Sequence, residues 1–273
     1  MTTQAEKAIT LRALHVAGNP LRIPNPWDAG SAKVLASLGF SALASTSGGH
    51  AATLGRLDGN VQRDEAIAHA QQLVSAVDLP VSADLENGFA DDPAGVATTI
   101  ELAIAAGLAG GSIEDYAPAP NARVYELAHA AERVAAAAEV AHRGPVQFVL
   151  TARAENYLRG NPDLGDTIAR LQAYQSAGAD VLYAPALTSL DQIRSLVASV
   201  DRPVNVLAFP GAPNVAELAS VGVARVSVGS AFSAAAIAAY TRAAREFLDE
   251  GTYGFYVDTM QGMQIARAAF AKP

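Results

Sequence analysis

Short apolar runs alternate with amphipathic segments from Leu21 almost to the end of the chain. Two kinds of opening introduce the runs. Four follow a proline: Pro20-Leu21, Pro80-Val81, Pro145-Val146 and Pro203-Val204. Four follow a glycine that ends a helical stretch: Gly39-Phe40, Gly107-Leu108, Gly178-Ala179 and Gly222-Val223. Proline at the first residue of a strand gives up only an edge donor. Glycine just past a helix takes the left-handed stop. Interleaved, the openings predict strands at Leu21–Pro24, Ser41–Ala44, Val81–Asp84, Gly111–Glu114, Gln147–Thr151, Val181–Ala184, Val204–Ala208 and Arg225–Val228. Helical spacing fills the gaps, clearest at Arg63–Val77, Pro93–Ala106, Val124–Ala141 and Thr167–Ala177.

Continuously apolar strands separated by helices imply parallel strands covered on both faces, joined by right-handed crossovers. Eight such units with no intervening linker favour a closed (β/α)8 barrel, one domain over residues 1–273, above an open doubly wound sheet. The stretch Ala234–Ala271 is long for one closing helix. It reads as two helices broken near Gly251–Gly254, suited to capping, subunit contact or helix exchange.

Composition narrows the chemistry. The 273 residues are 51% hydrophobic and carry a net charge of −8, which argues against a nucleic-acid groove or an anionic membrane as partner. There is no cysteine, so disulfides, thiolate metal sites and cysteine nucleophiles are excluded. Lysine occurs at Lys7, Lys33 and Lys272, none at a predicted strand end, which weakens any Schiff-base mechanism. Residues Met1–Ala8 are polar, and no apolar run approaches the roughly 20 residues of a membrane span. The expectation is a cytoplasmic protein acting on a small molecule.

A barrel of parallel strands works at the C-terminal ends of its strands. There the sequence places Asp84 and Glu86 after the third run, Glu114 after the fourth and Arg153 after the fifth. Carboxylates that converge stay ionised only if a cation offsets their repulsion. An all-oxygen set without cysteine or a nearby histidine group suits a hard ion, Mg²⁺ or Mn²⁺. Arg153 is placed to balance these acids or to grip a substrate carboxylate, and Ser47-Gly48-Gly49 offers backbone N–H groups for an oxyanion. Asp28 is expected to cap the helix that follows it. Asp58 divides evenly between starting a helix and serving the site. His50 lies near the rim, the other histidines read as helix-surface residues, and Gly229-Ser230 as packing.

At these residues the chain resembles the isocitrate lyase/phosphoenolpyruvate mutase superfamily, over nearly its whole length. Asp84-Leu85-Glu86-Asn87-Gly88-Phe89 is similar to the family's D-x-D-x-G-[FY] metal motif, with Glu86 for the second Asp. Ile113-Glu114-Asp115 and Ala152-Arg153-Ala154-Glu155 match its [IL]-E-D and A-R-x-E motifs. Ser47-Gly48-Gly49, followed by Leu54-Gly55 and Asp58, matches its turn and downstream L-G-x-x-D. The resemblance implies a metal held by Asp84, Glu86 and Glu114, and Asp58 positioning the metal's water or the substrate. It implies a substrate carboxylate or phosphonate held by Ser47, Gly48, Gly49 and Arg153, with Glu155 behind Arg153. It implies cleavage of a C–C or C–P bond beside a keto or hydroxy acid, with Mg²⁺ stabilising the enolate, and a homodimer or homotetramer.

Two departures shape that expectation. The K-[KR]-C-G-H loop of the isocitrate and methylisocitrate lyases is replaced by Tyr116-Ala117-Pro118-Ala119-Pro120-Asn121, which has no thiol acid. The mutase K-x-N-S loop is matched at most by Asn121. Tyr116 or Tyr183 would then supply the proton that the thiol gives elsewhere, and the 116–125 loop would close over substrate. The leading expectation is a Mg²⁺-dependent C–C lyase acting on a small keto acid or 2-hydroxy diacid. Phosphonopyruvate hydrolase or phosphoenolpyruvate mutase chemistry, and a barrel that binds a keto acid without turning it over, are the alternatives.

Overall fold

The computed structural model describes residues 2–271; Lys272 lies outside the described residues. Ten strands are present: β1 (Leu21–Ile23), β2 (Leu43–Ala44), β3 (Val81–Asp84), β4 (Gly110–Glu114), β5 (Tyr116–Ala117), β6 (Arg123–Val124), β7 (Val149–Arg153), β8 (Val181–Tyr183), β9 (Val204–Leu207) and β10 (Arg225–Ser227). Eight of them form one sheet in the order β1-β10-β9-β8-β7-β4-β3-β2, all parallel. Ala44 N–H donates to Pro24 O at 3.0 Å and brings β2 back to β1, so the sheet is a (β/α)8 barrel.

The helices are α1 (Gln4–Ala13), α2 (Ala29–Ser37), α3 (Ser47–Thr53), α4 (Arg63–Ala76), α5 (Pro93–Ala105), α6 (Leu127–Arg143), α7 (Leu164–Ser176), α8 (Leu190–Ala198), α9 (Val215–Ser220) and α10 (Ala231–Arg245). Of these, α1 packs Ala8 and Leu11 against Leu21, Ile23, Val149 and Val181 of the strands, whereas α10 is exposed over most of its length. A π-helical turn at Glu246–Glu250 follows α10, Gly251 turns left-handed with φ of 66°, and α11 (Tyr256–Phe270) packs back on α2. Among the described residues, no helix is long and apolar enough to cross a membrane.

Local chemistry explains most boundaries. Asp28 caps α2 by accepting from Ser31 N–H at 2.6 Å, as its sequence position suggested. Asp92, Asp163 and Asn214 cap α5, α7 and α9 in the same way. Gly107 and Gly178 sit at φ of 93° and 106°, a conformation that any side chain would strain. Leu73, Ile100, Leu171 and Ile193, all under 2% exposed, seal the helices against the outer face of the barrel.

Several boundaries move: β2 begins at Leu43 rather than Ser41 and α7 at Leu164 rather than Thr167, and two further shifts have a visible local cause. The fifth barrel strand is Val149–Arg153 rather than Gln147–Thr151. Gln147 turns away at φ of 50°, its side-chain amide donating to the carbonyls of His142 and Gly144. The helix expected from Val124 starts at Leu127, because Arg123 and Val124 pair with Ala117 and Tyr116 in a short antiparallel hairpin. That hairpin stands over the mouth of the barrel, and Pro118 and Ala119 at its turn line the opening.

Candidate active site

A cavity of about 560 Å³ opens at the C-terminal ends of the barrel strands. Its wall is built around Arg153, the last residue of β7 and 11% exposed as a side chain. Its Nη1 lies 3.1 Å from Asp84 Oδ1, its Nη2 3.0 Å from Glu114 Oε2, and its Nη2 2.8 Å from Glu155 Oε1. Backbone register puts these groups together: Glu114 of β4 pairs with Arg153 of β7, and Asp84 of β3 pairs with Ser112, two residues earlier on β4. A second guanidinium, Arg159, reaches in from the loop after β7, 3.2 Å from both Glu114 Oε1 and Glu155 Oε2. It lies flat on Tyr116 at 3.7 Å from the ring centroid, a cation–π seat that holds the hairpin to the site.

Asp84 is fixed from four sides. Ser47 Oγ donates to Oδ2 at 3.0 Å, Glu86 N–H and Arg153 reach Oδ1, and Asp84's own N–H is held by Ser45 Oγ at 2.9 Å. The turn after it is tight: Glu86 sits at φ of 48°, an uncommon conformation for a residue with a side chain. This turn aims the Glu86 carboxyl into the cavity, where Asp58 also points. Burial first, then repulsion from Asp84 and Asp58, pushes Glu86 up to about 8. Burial and Asp84 likewise raise Asp58, and Glu114 is raised by burial and by Glu155.

The expected metal trio is therefore distributed differently. Asp84, Glu86 and Glu114 all line the cavity, but Glu114 is engaged by both arginines. Asp58 takes its place as the acid that crowds Asp84 and Glu86. Among the described residues, no three acidic or imidazole side chains form a closed cage for an ion. The donor set still fits a hard cation. Asp58, Asp84, Glu86 and Glu114 line the cavity with Glu155 buried behind them; Arg153 and Arg159 are the guanidiniums that reach these acids, and Arg225 lies deeper in the same cavity. All of the available donors are oxygen.

Other expected residues divide. Ser47 lines the cavity, but its N–H is directed at Asp84 Oδ2 at 3.5 Å rather than at open space. Ser47-Gly48-Gly49 forms the first turn of α3, capped by Thr46, whose hydroxyl accepts from Gly49 N–H. Gly49 packs tightly, since a Cβ there would meet Thr46 at 2.5 Å and Trp27 at 3.0 Å, and it does not line the cavity. Gly48 lets Asp58 and Ser230 approach; a Cβ there would fall 2.8 Å from Ser230 Oγ and 3.3 Å from Asp58. Glu155 is fully buried beneath the arginines, so it orients them instead of touching a ligand. Asn121 is exposed on the hairpin; it does not line this cavity but lines an adjoining cleft that shares Glu86, Pro118 and Ala119 with it.

Tyr116 and Tyr183 both line the cavity. Burial pushes Tyr183 up to about 12, so it keeps its proton through neutral pH. His50 stacks on His69 at 3.8 Å behind the site, and burial holds His69 down to about 4. His69 is therefore a buried core residue and not a helix-surface one. Arg159 escaped sequence reasoning altogether. Its only advance signal was its position four residues after Glu155, one helical turn within reach.

Beneath the arginines, Asp115 accepts from Glu155 N–H at 2.8 Å, Tyr174 Oη at 2.5 Å and Arg170 Nη1 at 3.1 Å. Replacing Asp115 with alanine strands these buried donors. It is expected to destabilise the fold by about 3 kcal/mol, read as a lower urea midpoint. An unchanged midpoint would mean that the network does not support the site.

A (β/α)8 barrel with an acid-rich pocket braced by arginines at its strand ends defines a class of barrel enzymes. The profile of the phosphoenolpyruvate phosphomutase family matches residues 11–248. The chain belongs to that family, within the isocitrate lyase/phosphoenolpyruvate mutase superfamily of lyases and mutases. A provisionally assigned lyase/mutase of Burkholderia cenocepacia J2315 superposes with a TM-score of 0.94 at 50% identity, over 99% of this chain and 97% of that one. The 2-methylisocitrate lyase of Escherichia coli K12 is 31% identical over 266 residues, 92% of this chain and 87% of its own length. A 2,3-dimethylmalate lyase structure matches at a TM-score of 0.82 and 26% identity, covering 93% of this chain and 90% of the other.

Proposed function

We propose that this chain is a lyase that breaks a C–C bond beside the carbonyl or hydroxyl of a small keto acid or 2-hydroxy diacid, with a divalent cation, Mg²⁺ or Mn²⁺, at Asp84. One observation carries the reading: four acids, Asp58, Asp84, Glu86 and Glu114, line one pocket with Glu155 buried behind them, against the three guanidiniums of Arg153, Arg159 and Arg225, leaving an excess of acid at Asp84 and Glu86 that a bound cation would offset. The named activity of the 2,3-dimethylmalate lyase supports a hydroxy diacid, and that of the 2-methylisocitrate lyase, on a hydroxy tricarboxylate, supports the same hydroxy-polyacid chemistry.

Asp84 and Glu86 would hold the cation, with Asp58 beside them. When bound, it would supply positive charge next to the reacting oxygen. The chain's own groups do the remainder. Arg153, locked by three carboxylates, presents a fixed fork to the substrate carboxylate. Arg159 and Tyr116 cover the mouth and limit water. Tyr183 holds a proton at its hydroxyl next to Arg153, whose guanidinium carbon lies 5.3 Å from the ring centroid. It is the donor best placed to stand in for a thiol.

The test is a panel of oxaloacetate, 2-methylisocitrate, 2,3-dimethylmalate and phosphonopyruvate, each with Mg²⁺ and with EDTA. Turnover of a diacid that EDTA abolishes and Mg²⁺ restores is the expected result. Chelator-resistant turnover, or no turnover of any diacid, would overturn the reading. Phosphate released from phosphonopyruvate alone would replace C–C with C–P cleavage, which the phosphomutase profile favours.

A further inference from the structure

The floor of the cavity carries a cation that the proposed chemistry has not used. Arg225, the first residue of β10, is 5% exposed and lines the cavity from below. Its hydrogen bonds go to neutral groups: Nε donates to Asn205 Oδ1 at 2.9 Å and Nη1 to Thr151 Oγ1 at 3.2 Å. Nη1 also lies 3.3 Å from His15 Nε2. That ring is held neutral, because burial and Arg225 itself push it down to about 3. Among the described residues, Arg225 has no carboxylate partner and its Nη2 donates to nothing. A buried guanidinium without a counter-charge is costly, and an apolar side chain would fill the same space more cheaply. Burial pulls it down to about 10, yet it is still charged at neutral pH.

Backbone register shows where that charge sits relative to the mouth. Glu114 pairs with Arg153, Arg153 with Tyr183, Tyr183 with Asn205, and Asn205 with Arg225. Paired residues on neighbouring strands share a face, so this row of polar side chains turns inward. It starts at the last residue of β4 and ends at the first residue of β10. The row therefore winds down the barrel wall from mouth to floor. With strands about 4.8 Å apart and tilted by about 36°, three steps place Arg225 about 8 Å deeper than Arg153.

We propose that Arg225 is a specificity-determining residue that takes the second carboxylate of a dicarboxylate substrate, while Arg153 takes the first at the mouth. The proposal rests on the keto- or hydroxy-diacid reading and adds which end of the diacid goes where. Tyr183 and Asn205, between the two guanidiniums, border the middle of the bound chain.

The test compares malate with 2-hydroxybutanoate, which share the 2-hydroxy acid head and differ in the distal carboxylate. Calorimetry on the full chain, with and without Mg²⁺, gives their dissociation constants. Malate is expected to bind about 100-fold more tightly than 2-hydroxybutanoate. In Arg225→Met that preference should fall to within threefold, with 2-hydroxybutanoate binding unchanged. Equal affinities in the parent protein, or a preference that survives in Arg225→Met, would overturn the proposal. If the variant does not fold, phenylglyoxal labelling of the parent decides. Malate should protect Arg225 and 2-hydroxybutanoate should not, and equal protection by both would overturn it. These readouts need no turnover. Failure of the lyase reading would show instead as an inactive substrate panel with the malate preference intact.

Discussion

Replacing Arg153 with methionine is expected to lower kcat/KM on the best diacid by at least about 10³-fold and to destabilise the fold by about 3–5 kcal/mol. Both effects come from one geometry. The guanidinium holds Asp84, Glu114 and Glu155 at 2.8–3.1 Å, with Glu155 fully buried. Methionine fills the volume and removes the charge, leaving Asp84 and Glu155 without this partner and Glu114 further exposed to the burial and the repulsion from Glu155 that already push it toward protonation. Arg159 compensates only in part, since it reaches Glu114 and Glu155 but has no contact with Asp84. Arg153→Lys should rescue little, because one ammonium cannot span three carboxylates spread around a planar fork. Steady-state kinetics and urea unfolding are read on the same preparations. Activity within tenfold of the parent would show that Arg153 braces the wall without handling substrate.

The division between what the sequence revealed and what it hid follows the range of the interactions. Strand and helix order is written in local signals, the prolines and glycines that punctuate the apolar runs, and so the barrel was legible. The barrel rule then carried Asp84, Glu114 and Arg153 to one mouth, and register brings them into contact. The hairpin at Tyr116–Val124 was hidden because its pairing depends on the Asp115–Tyr125 backbone contact and on the Arg159 stack over Tyr116. The exchange of Glu114 for Asp58 beside Glu86 depends on which acids the two arginines reach, a matter of side-chain length and loop path. Arg225 was read only as the start of a strand. Its inward direction becomes meaningful once four strands are laid in register.

Stability should also depend on pH through the crowded acids, in a direction opposite to that of ordinary carboxylates. Glu86 stands at about 8 in the fold against 4.5 for an unperturbed glutamate. Between those values the folded chain keeps a proton that the unfolded chain has given up. Stability therefore falls as pH rises through that window and levels off above it. Glu86 lies at a mouth that solvent reaches, so the loss is set at about 2–4 kcal/mol. Glu114, raised by burial and Glu155, adds in the same direction. In EDTA, the urea midpoint should thus drop between pH 5 and 8, and Glu86→Gln should flatten most of that slope. A divalent cation favours the ionised carboxylates, so Mg²⁺ should restore the alkaline stability. Its binding near pH 7 should release about one proton, seen in calorimetry as a heat that varies with the buffer's ionisation enthalpy. A midpoint in EDTA that is flat or rises from pH 5 to 8 would show that Asp58, Asp84 and Glu86 do not share one crowded pocket. The case for a cation there would fail with it.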